Sequence, residues 1–308
     1  MRMHIIESQQ FSPDIIFQLF EDADCFQKEL KSNERIKILD GKIMASLFYE
    51  ESTRTRLSFE SAMIKLGGSV IGTENARIFS SAAKGESLQD TIRVIDNYCD
   101  VIVLRHYEEG SAKKASEISK VSIINAGDGI GQHPTQALLD LYTIYKEFGK
   151  LDNLKIAIVG DLANGRTVRS LCYLLGKFKN ISIIFVSPEN LKIKEDIKEY
   201  LRKRELNFEE KNNLNEILPV VDIIYMTRIQ KERISPEDYE KAKGKFIINV
   251  NNFNLINKNS RIMHPLPHVE EIQLPVEIEK NDKRVAYFRQ AENGLYIRMA
   301  LLDMILNN

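Results

Sequence analysis

Apolar residues along this chain follow two alternating patterns. Short runs rich in β-branched residues, at 42–50, 101–105 and 121–125, predict strands. Longer stretches between them carry apolar residues at helical spacing. Phe59, Ala62, Met63 and Leu66 mark one face of a helix over 53–66, which Gly67-Gly68 stops. Leu138, Leu141, Tyr142 and Tyr145 mark another over 134–148, ended by Gly149. The alternation then restarts with strand-like runs at 154–161, 181–188, 221–228 and 245–251, separated by Lys/Glu-rich helical stretches. Polar Asn/Lys-rich stretches at 211–215 and 251–260 read as loops. The last segment, 291–306, is apolar at Leu295, Met299, Leu302 and Ile305, as suits a terminal helix on a core.

Strands alternating with helices predict an α/β fold of two domains, each with a central parallel sheet flanked by helices, joined by bridging helices. The expected division is 1–134 for one domain, with the terminal helix 291–308 packing back on it, and 135–290 for the other. A chain of 308 residues with 43% hydrophobic content is long enough for both cores. With 43 basic and 44 acidic residues, the net charge of -1 gives no global reason to bind nucleic acid or an acidic membrane. No run approaches the roughly 20 apolar residues of a membrane span. Cys25, Cys99 and Cys172 are dispersed, without metal-ligand or disulfide spacing. With no signal-peptide pattern at the start, these features predict a cytoplasmic protein without a bound metal.

Chemistry concentrates where strands give way to helices. In FYEESTRTRLSFE, residues 48–60, Ser52, Thr53, Arg54 and Thr55 stand at such a junction. Outward-pointing N–H groups, hydroxyls and a guanidinium there suit a phosphate; the plainer reading is that Ser52 caps the helix and its arginines are solvated. FSSAAKGESLQDTIR, 79–93, presents Ser80, Ser81 and Lys84 before a helical pattern, either an anion-binding turn or a surface loop with Ser87 as a cap. Arg105 ends a strand, where ligands gather in open α/β sheets, and His106 follows it. A Gly-rich loop delivers His133 and Gln136 to a helix start, both able to donate hydrogen bonds to an uncharged polar group or to serve structure alone. GDLANGR, 160–166, lacks the G-x-G-x-x-G spacing of a dinucleotide site; its Arg166, with Arg228 at the end of VDIIYMTR, offers a guanidinium pair for a dicarboxylate. MHPLPHVEE, 263–271, is a proline-stiffened turn that either aims carbonyl groups or simply makes a rigid loop.

Taken together, FYEESTRTRLSFE, SSAAKGESLQDTIR, GDGIGQHPTQALLDLYTI, GDLANGRTVRSL, MTRIQKER and HPLP resemble, in order and spacing, the aspartate carbamoyltransferase catalytic chains from near the start to the last helix. The resemblance implies that Ser52, Thr53, Arg54 and Thr55 bind the phosphate of carbamoyl phosphate, with Arg105 near the phosphate and the carbonyl oxygen. It implies that Thr55 and His133 polarise that carbonyl. Gln136 and the Leu266 carbonyl, with Pro267 fixing the loop, would hold the carbamoyl NH2. Arg166, Arg228 and Gln230 would position the carboxylates of L-aspartate. Ser80 and Lys84 would act from a neighbouring subunit of a homotrimer, and Glu50 with Arg166 and Arg233 would hold the domains closed. The product would be N-carbamoyl-L-aspartate, a step of de novo pyrimidine biosynthesis, with no cofactor and with regulatory chains as possible partners. An ornithine-specific relative shares much of this pattern but is expected to carry H-C-L-P where this chain has HPLP. A catalytically silent homologue would have lost motif residues that are intact here. Two departures stand out: His268, where many relatives carry arginine, and Glu292, where they often carry glycine.

Overall fold

The computed structural model describes residues 3–32, 35–79 and 81–307. Its first sheet joins β1 (Ile43–Phe48), β2 (Ser69–Glu74), β3 (Val101–His106) and β4 (Ser122–Asp128), all parallel, in the order β2-β1-β3-β4. β4 is buried along its whole length and β3 everywhere except Arg105, as expected for strands covered on both faces. Ala45, Leu47, Ile102, Leu104 and Ile123 pack with Ile92 and Ala115 from flanking helices. β2 escapes the apolar pattern because its Gly72 sits over Ser46, whose carbonyl oxygen a Cβ would approach to 2.4 Å.

The second half supplies β5 (Lys155–Val159), β6 (Ser182–Val186), β7 (Asn207–Lys211), β8 (Ile223–Met226), β9 (Ile248–Asn249), β10 (Arg261–Met263) and β11 (Ile272–Gln273). Five of them form a parallel sheet in the order β10-β8-β5-β6-β7. The run at 245–251 was expected to be one of its strands, and here the structure differs: β9 is two residues long and pairs only with β11. Side-chain amides end it. Asn252 accepts from the Asn249 N–H and donates to the Ile247 carbonyl, while Asn249 accepts from the Asn251 N–H, replacing ladder bonds. The place beside β8 goes to β10. β7 carries no apolar alternation because it is a mostly exposed edge strand.

The chain divides into two compact units, Met1–Tyr142 with Glu292–Asn308, and Thr143–Ala291. Both boundaries fall inside helices, Pro134–Phe148 and Tyr287–Leu306. Within the second unit Glu147 accepts from Nε of Arg289 and of Arg261, each at 2.6 Å, so one carboxylate joins both helices and β10. Glu292 lies on the exposed face of the terminal helix, where the Tyr296 hydroxyl donates to it at 2.9 Å. Among the described residues no helix is long and apolar enough to cross a membrane, and no group of His, Cys, Asp and Glu is placed to hold a metal ion.

Candidate functional site

In the first sheet the connections run from β1 to one neighbour and then to the opposite side, so the topology reverses between β1 and β3. Open α/β sheets bind ligands outside the carboxyl ends of the strands at such a point. Two segments meet there, 49–55 after β1 and Arg105 at the end of β3. Ser52 precedes the Thr53–Lys65 helix with φ -163°, and its side chain makes no capping bond. The first turn itself contains no acidic residue. The capping reading therefore fails for Ser52 and holds for Ser87, whose Oγ accepts from the Asp90 N–H at 3.1 Å. Thr53 and Arg54 are exposed, Ser52 is half-buried and Thr55 is buried. Arg56 is turned to Glu60, at 3.3 Å.

Thr55 Oγ1 lies 3.5 Å from Nε2 of the buried His133, and His133 Nδ1 lies 3.4 Å from Thr135 Oγ1. Arg105 donates from Nη1 to the Ala126 carbonyl at 3.3 Å, with Nε 3.5 Å from Glu50. His106 turns into the unit: its Nδ1 accepts from the Glu108 N–H at 3.1 Å, and burial pulls the imidazole down from its ordinary range.

Gln136 donates from Nε2 to Asp140 at 2.8 Å, which fixes the direction of its amide and leaves Oε1 as an acceptor. Asp140 is fully buried, and the neighbouring charge of Arg298 compensates it. Arg298 is itself buried, stacks over Phe59 at 5.1 Å, and is pushed by desolvation down to about 10. The last helix thus fixes, through Asp140, which way Gln136 faces. Lys84 ends a short helical turn, Ser81–Lys84, and is exposed; Ser80 lies outside the described residues.

The second sheet repeats the topology, reversing between β5 and β8. Gly160, just past β5, has φ +117°, and a Cβ there would come within 2.1 Å of the Thr227 carbonyl oxygen, so only glycine lets the two strand ends approach. The next residue, Asp161, is fully buried. Its Oδ1 accepts from the Asn164 N–H at 3.0 Å and its Oδ2 from the Gln230 N–H at 3.4 Å, linking the loops that carry Arg166 and Gln230. Burial pushes this carboxyl up, against the lowering effect of those bonds. Arg166 begins the Arg166–Leu175 helix with its side chain buried.

Arg228 is held by Glu232 at both Nη1, 3.0 Å, and Nη2. The pair holds the guanidinium charged above its ordinary range; burial pushes Glu232 up, but the Arg228 hydrogen bonds outweigh it and keep the carboxylate low. A guanidinium has five N–H groups, so a fork to Glu232 leaves others to donate. Beside Arg228 opens a cavity of about 190 Å³, lined in part by Gly160, Thr227, Lys231, Tyr239 and Lys245.

The HPLP turn belongs to this unit. Leu266 has φ +55°, a conformation costing a branched residue about 1–2 kcal/mol, and precedes a cis peptide to Pro267. Its N–H donates to His264 Nδ1 at 2.7 Å. That bond assigns the imidazole proton to Nε2, 2.8 Å from Glu271. Burial raises the Glu271 carboxyl, yet the His264 bond prevails and holds it low.

Sequence reasoning missed Asp140, Arg298, Asp161, Glu232, His264 and Glu271 as supports of the site. Asp161 had a local signal, an acidic residue three before an asparagine at a strand end. The Asp140 and Arg298 pairing had none.

A family model described as "Aspartate/ornithine carbamoyltransferase, carbamoyl-P binding domain" matches residues 3–146, and its companion, "Asp/Orn binding domain", matches 152–305. The chain is 56% identical over 304 residues to aspartate carbamoyltransferase 2, chloroplastic, of Pisum sativum, covering 98% of this chain and 78% of that one. It superimposes with TM-score 0.90 on the catalytic subunit of M. jannaschii aspartate transcarbamoylase, 47% identical, covering 99% of this chain and 98% of that one. The Trypanosoma cruzi aspartate transcarbamoylase in complex with N-(phosphonacetyl)-L-aspartic acid gives 0.92 at 38% identity, covering 98% and 95%. The expected cytoplasmic location is overturned by the Pisum sativum relative, which is named chloroplastic. An organellar address is a segment read by a receptor and leaves no imprint on the charge or thiols of the folded domains.

Proposed function

The chain belongs to the aspartate/ornithine carbamoyltransferase family, and from that membership we propose that it transfers the carbamoyl group of carbamoyl phosphate to the amine of L-aspartate. The observation that carries the reading is the uncapped start of the Thr53–Lys65 helix at the first switch point, with Thr55 and His133 side by side next to it. Ser52, Thr53, Arg54 and Thr55 take the phosphate, whose charge the helix end and Arg54 favour. Thr55, Arg105 and His133 stabilise the carbonyl oxygen as the amine attacks and negative charge grows there. Gln136, presenting Oε1, and the Leu266 carbonyl are acceptors, the chemistry an NH2 group requires. Arg166, Arg228 and Gln230 hold the carboxylates of aspartate.

The neutral amine bonds to the carbamoyl carbon, the bond from that carbon to the phosphate oxygen breaks, and the departing phosphate accepts the proton the amine sheds. Holding both reactants in attacking geometry supplies up to roughly 7 to 11 kcal/mol in favourable cases. The Trypanosoma cruzi structure holds a phosphonate joined to aspartate, a molecule with both reactants' features. Lys84, with Ser80, completes the site of an adjacent subunit in a homotrimer. Supporting this, β2 is an edge strand, and the first unit exposes Leu57, Ile64, Ile71 and Ile78, apolar surface suited to burial against another copy.

The test is carbamoylation by the purified chain with carbamoyl phosphate, comparing L-aspartate with L-ornithine, alongside Lys84→Ala. Product from aspartate alone, lost in the variant, is the expected result. A folded assembly that makes no aspartate-dependent product refutes the reading.

A further inference from the structure

Gln136, Asp140 and Arg298 are all buried and follow one another in space within the first unit. Gln136 and Asp140 stand one turn apart on the Pro134–Phe148 helix, so the 2.8 Å bond between their side chains runs along one helix face. Arg298 comes from the Tyr287–Leu306 helix and lies over the ring of Phe59, on the helix that begins at Thr53. Gly294 leaves the room for its guanidinium: a Cβ there would come within 2.4 Å of Arg298 Nη1 and 3.1 Å of Leu139 Cδ2. The two ends of a glutamine amide match in size and differ in hydrogen-bonding character. An ionised carboxylate only accepts, so Asp140 takes the NH2 end and turns Oε1 away. The reverse orientation would set Oε1 against a carboxylate oxygen, two acceptors with no proton between them. The neighbouring guanidinium charge offsets the cost of burying that carboxylate, and removing either partner would leave the other uncompensated.

We propose that Asp140 is a positioning residue that sets the selectivity of the carbamoyl site: acting through Gln136, it presents an acceptor, which admits a ligand bearing NH2 and rejects one bearing a carboxylate oxygen in the same place. This rests on the reading of Gln136 as a contact to the carbamoyl NH2. The two groups are close in size, so packing does not separate them, whereas the presence of an N–H does. A carboxylate oxygen opposite Oε1 leaves two acceptors face to face, the repulsive element that selectivity requires. Contacts to the phosphate and to the carbonyl oxygen are common to both ligands. An asparagine at position 140 can accept through Oδ1 or donate through Nδ2, so it no longer dictates which end Gln136 presents.

The test is calorimetric binding, at one pH, of phosphonoacetamide and phosphonoacetate, which carry NH2 and a carboxylate oxygen on the same frame. The assembled full chain is compared with Asp140→Asn and with the double variant Asp140→Asn, Arg298→Met. The double variant removes both buried charges, so it keeps the net charge and leaves no unpaired guanidinium to unfold the protein. The preference for the amide over the acid, read as a ratio of Kd values, should fall about tenfold in both variants, the worth of one hydrogen bond. The amide should bind more weakly and the acid more tightly, with inorganic phosphate unchanged. An unmoved ratio overturns the proposal, as does equal weakening of all three ligands, the mark of a merely structural role. A fall confined to the single variant also overturns it, since that is a simple effect of charge. An unaltered protein that forms no aspartate-dependent product refutes the parent reading and the proposal with it, whereas product with an unmoved ratio overturns the proposal alone.

Discussion

The two switch points share a topology and differ in how they are built. In the first unit, Ser52, Thr53, Arg54 and Thr55 are consecutive, and the strand-to-helix turn that bears them is itself the proposed anion site. The second unit assembles its site from remote loops. Asp161 reaches Gln230 across 69 positions of sequence, and the fork from Arg228 depends on Glu232. A helix end supplies aligned N–H groups without further support, whereas isolated guanidinium groups need buried or paired carboxylates to fix their direction. The first site is a property of a segment, and the second is a property of a network.

Four substitutions test that contrast. The largest effect is expected for His133→Ala, which removes the donor proposed for the carbonyl oxygen: kcat should fall about 10²- to 10³-fold. KM for aspartate should change little, and a large rise in it would blur the separation of the two sites. Arg228→Ala should act in the opposite sense, raising KM for aspartate about 10- to 100-fold, the worth of a charge-assisted bond of about 1.5–3 kcal/mol. Binding of phosphate alone, measured by calorimetry, should survive it.

Asp161→Asn probes the network. The folded carboxyl is raised above its unfolded value, so its ionisation subtracts from stability as pH rises from the unfolded value through the folded one. The neutral isostere removes that cost but loses an acceptor, so neutral-pH stability should hold within about 1 kcal/mol while KM for aspartate rises about tenfold. Unchanged kinetics would show that the two loops need no carboxylate between them.

The smallest functional effect belongs to Glu147→Gln, which should cost about 2 kcal/mol of stability at neutral pH. Burial raises this carboxyl, but hydrogen bonds from Arg289 and Arg261 outweigh it and hold it below the ordinary 4.5. Its stabilisation is therefore present above the unfolded value and lost as pH falls through the folded one. Urea titrations of the two proteins should differ by a constant amount above about pH 5 and converge at lower pH.

Legibility in the sequence followed the same contrast. The helix at Pro134–Phe148 appears with its expected bounds, and the Thr53 helix within a residue, because each presents a sustained apolar face between clear stops. β7 and β2 left no such trace, since one is an exposed edge and the other is shaped by a glycine pressed on its neighbour. The orientation of the Gln136 amide was illegible too. The amide could face either way until Asp140, charge-balanced by Arg298 from the last helix, took the NH2 end.

By itself the sequence determined the α/β alternation, the strand-to-helix turn rich in hydroxyls and arginines, and the residue types available for a phosphate and a dicarboxylate. These depend on local pattern, which neighbouring residues encode. Tertiary structure alone decided the strand order, and with it the two reversals that place residues 49–55 beside Arg105 and residues 160–161 beside Arg228. It also decided that Gly160 must yield to Thr227 and that His264 must brace Leu266. Such contacts join positions far apart along the chain, and their free energy exists only once the core has brought them together.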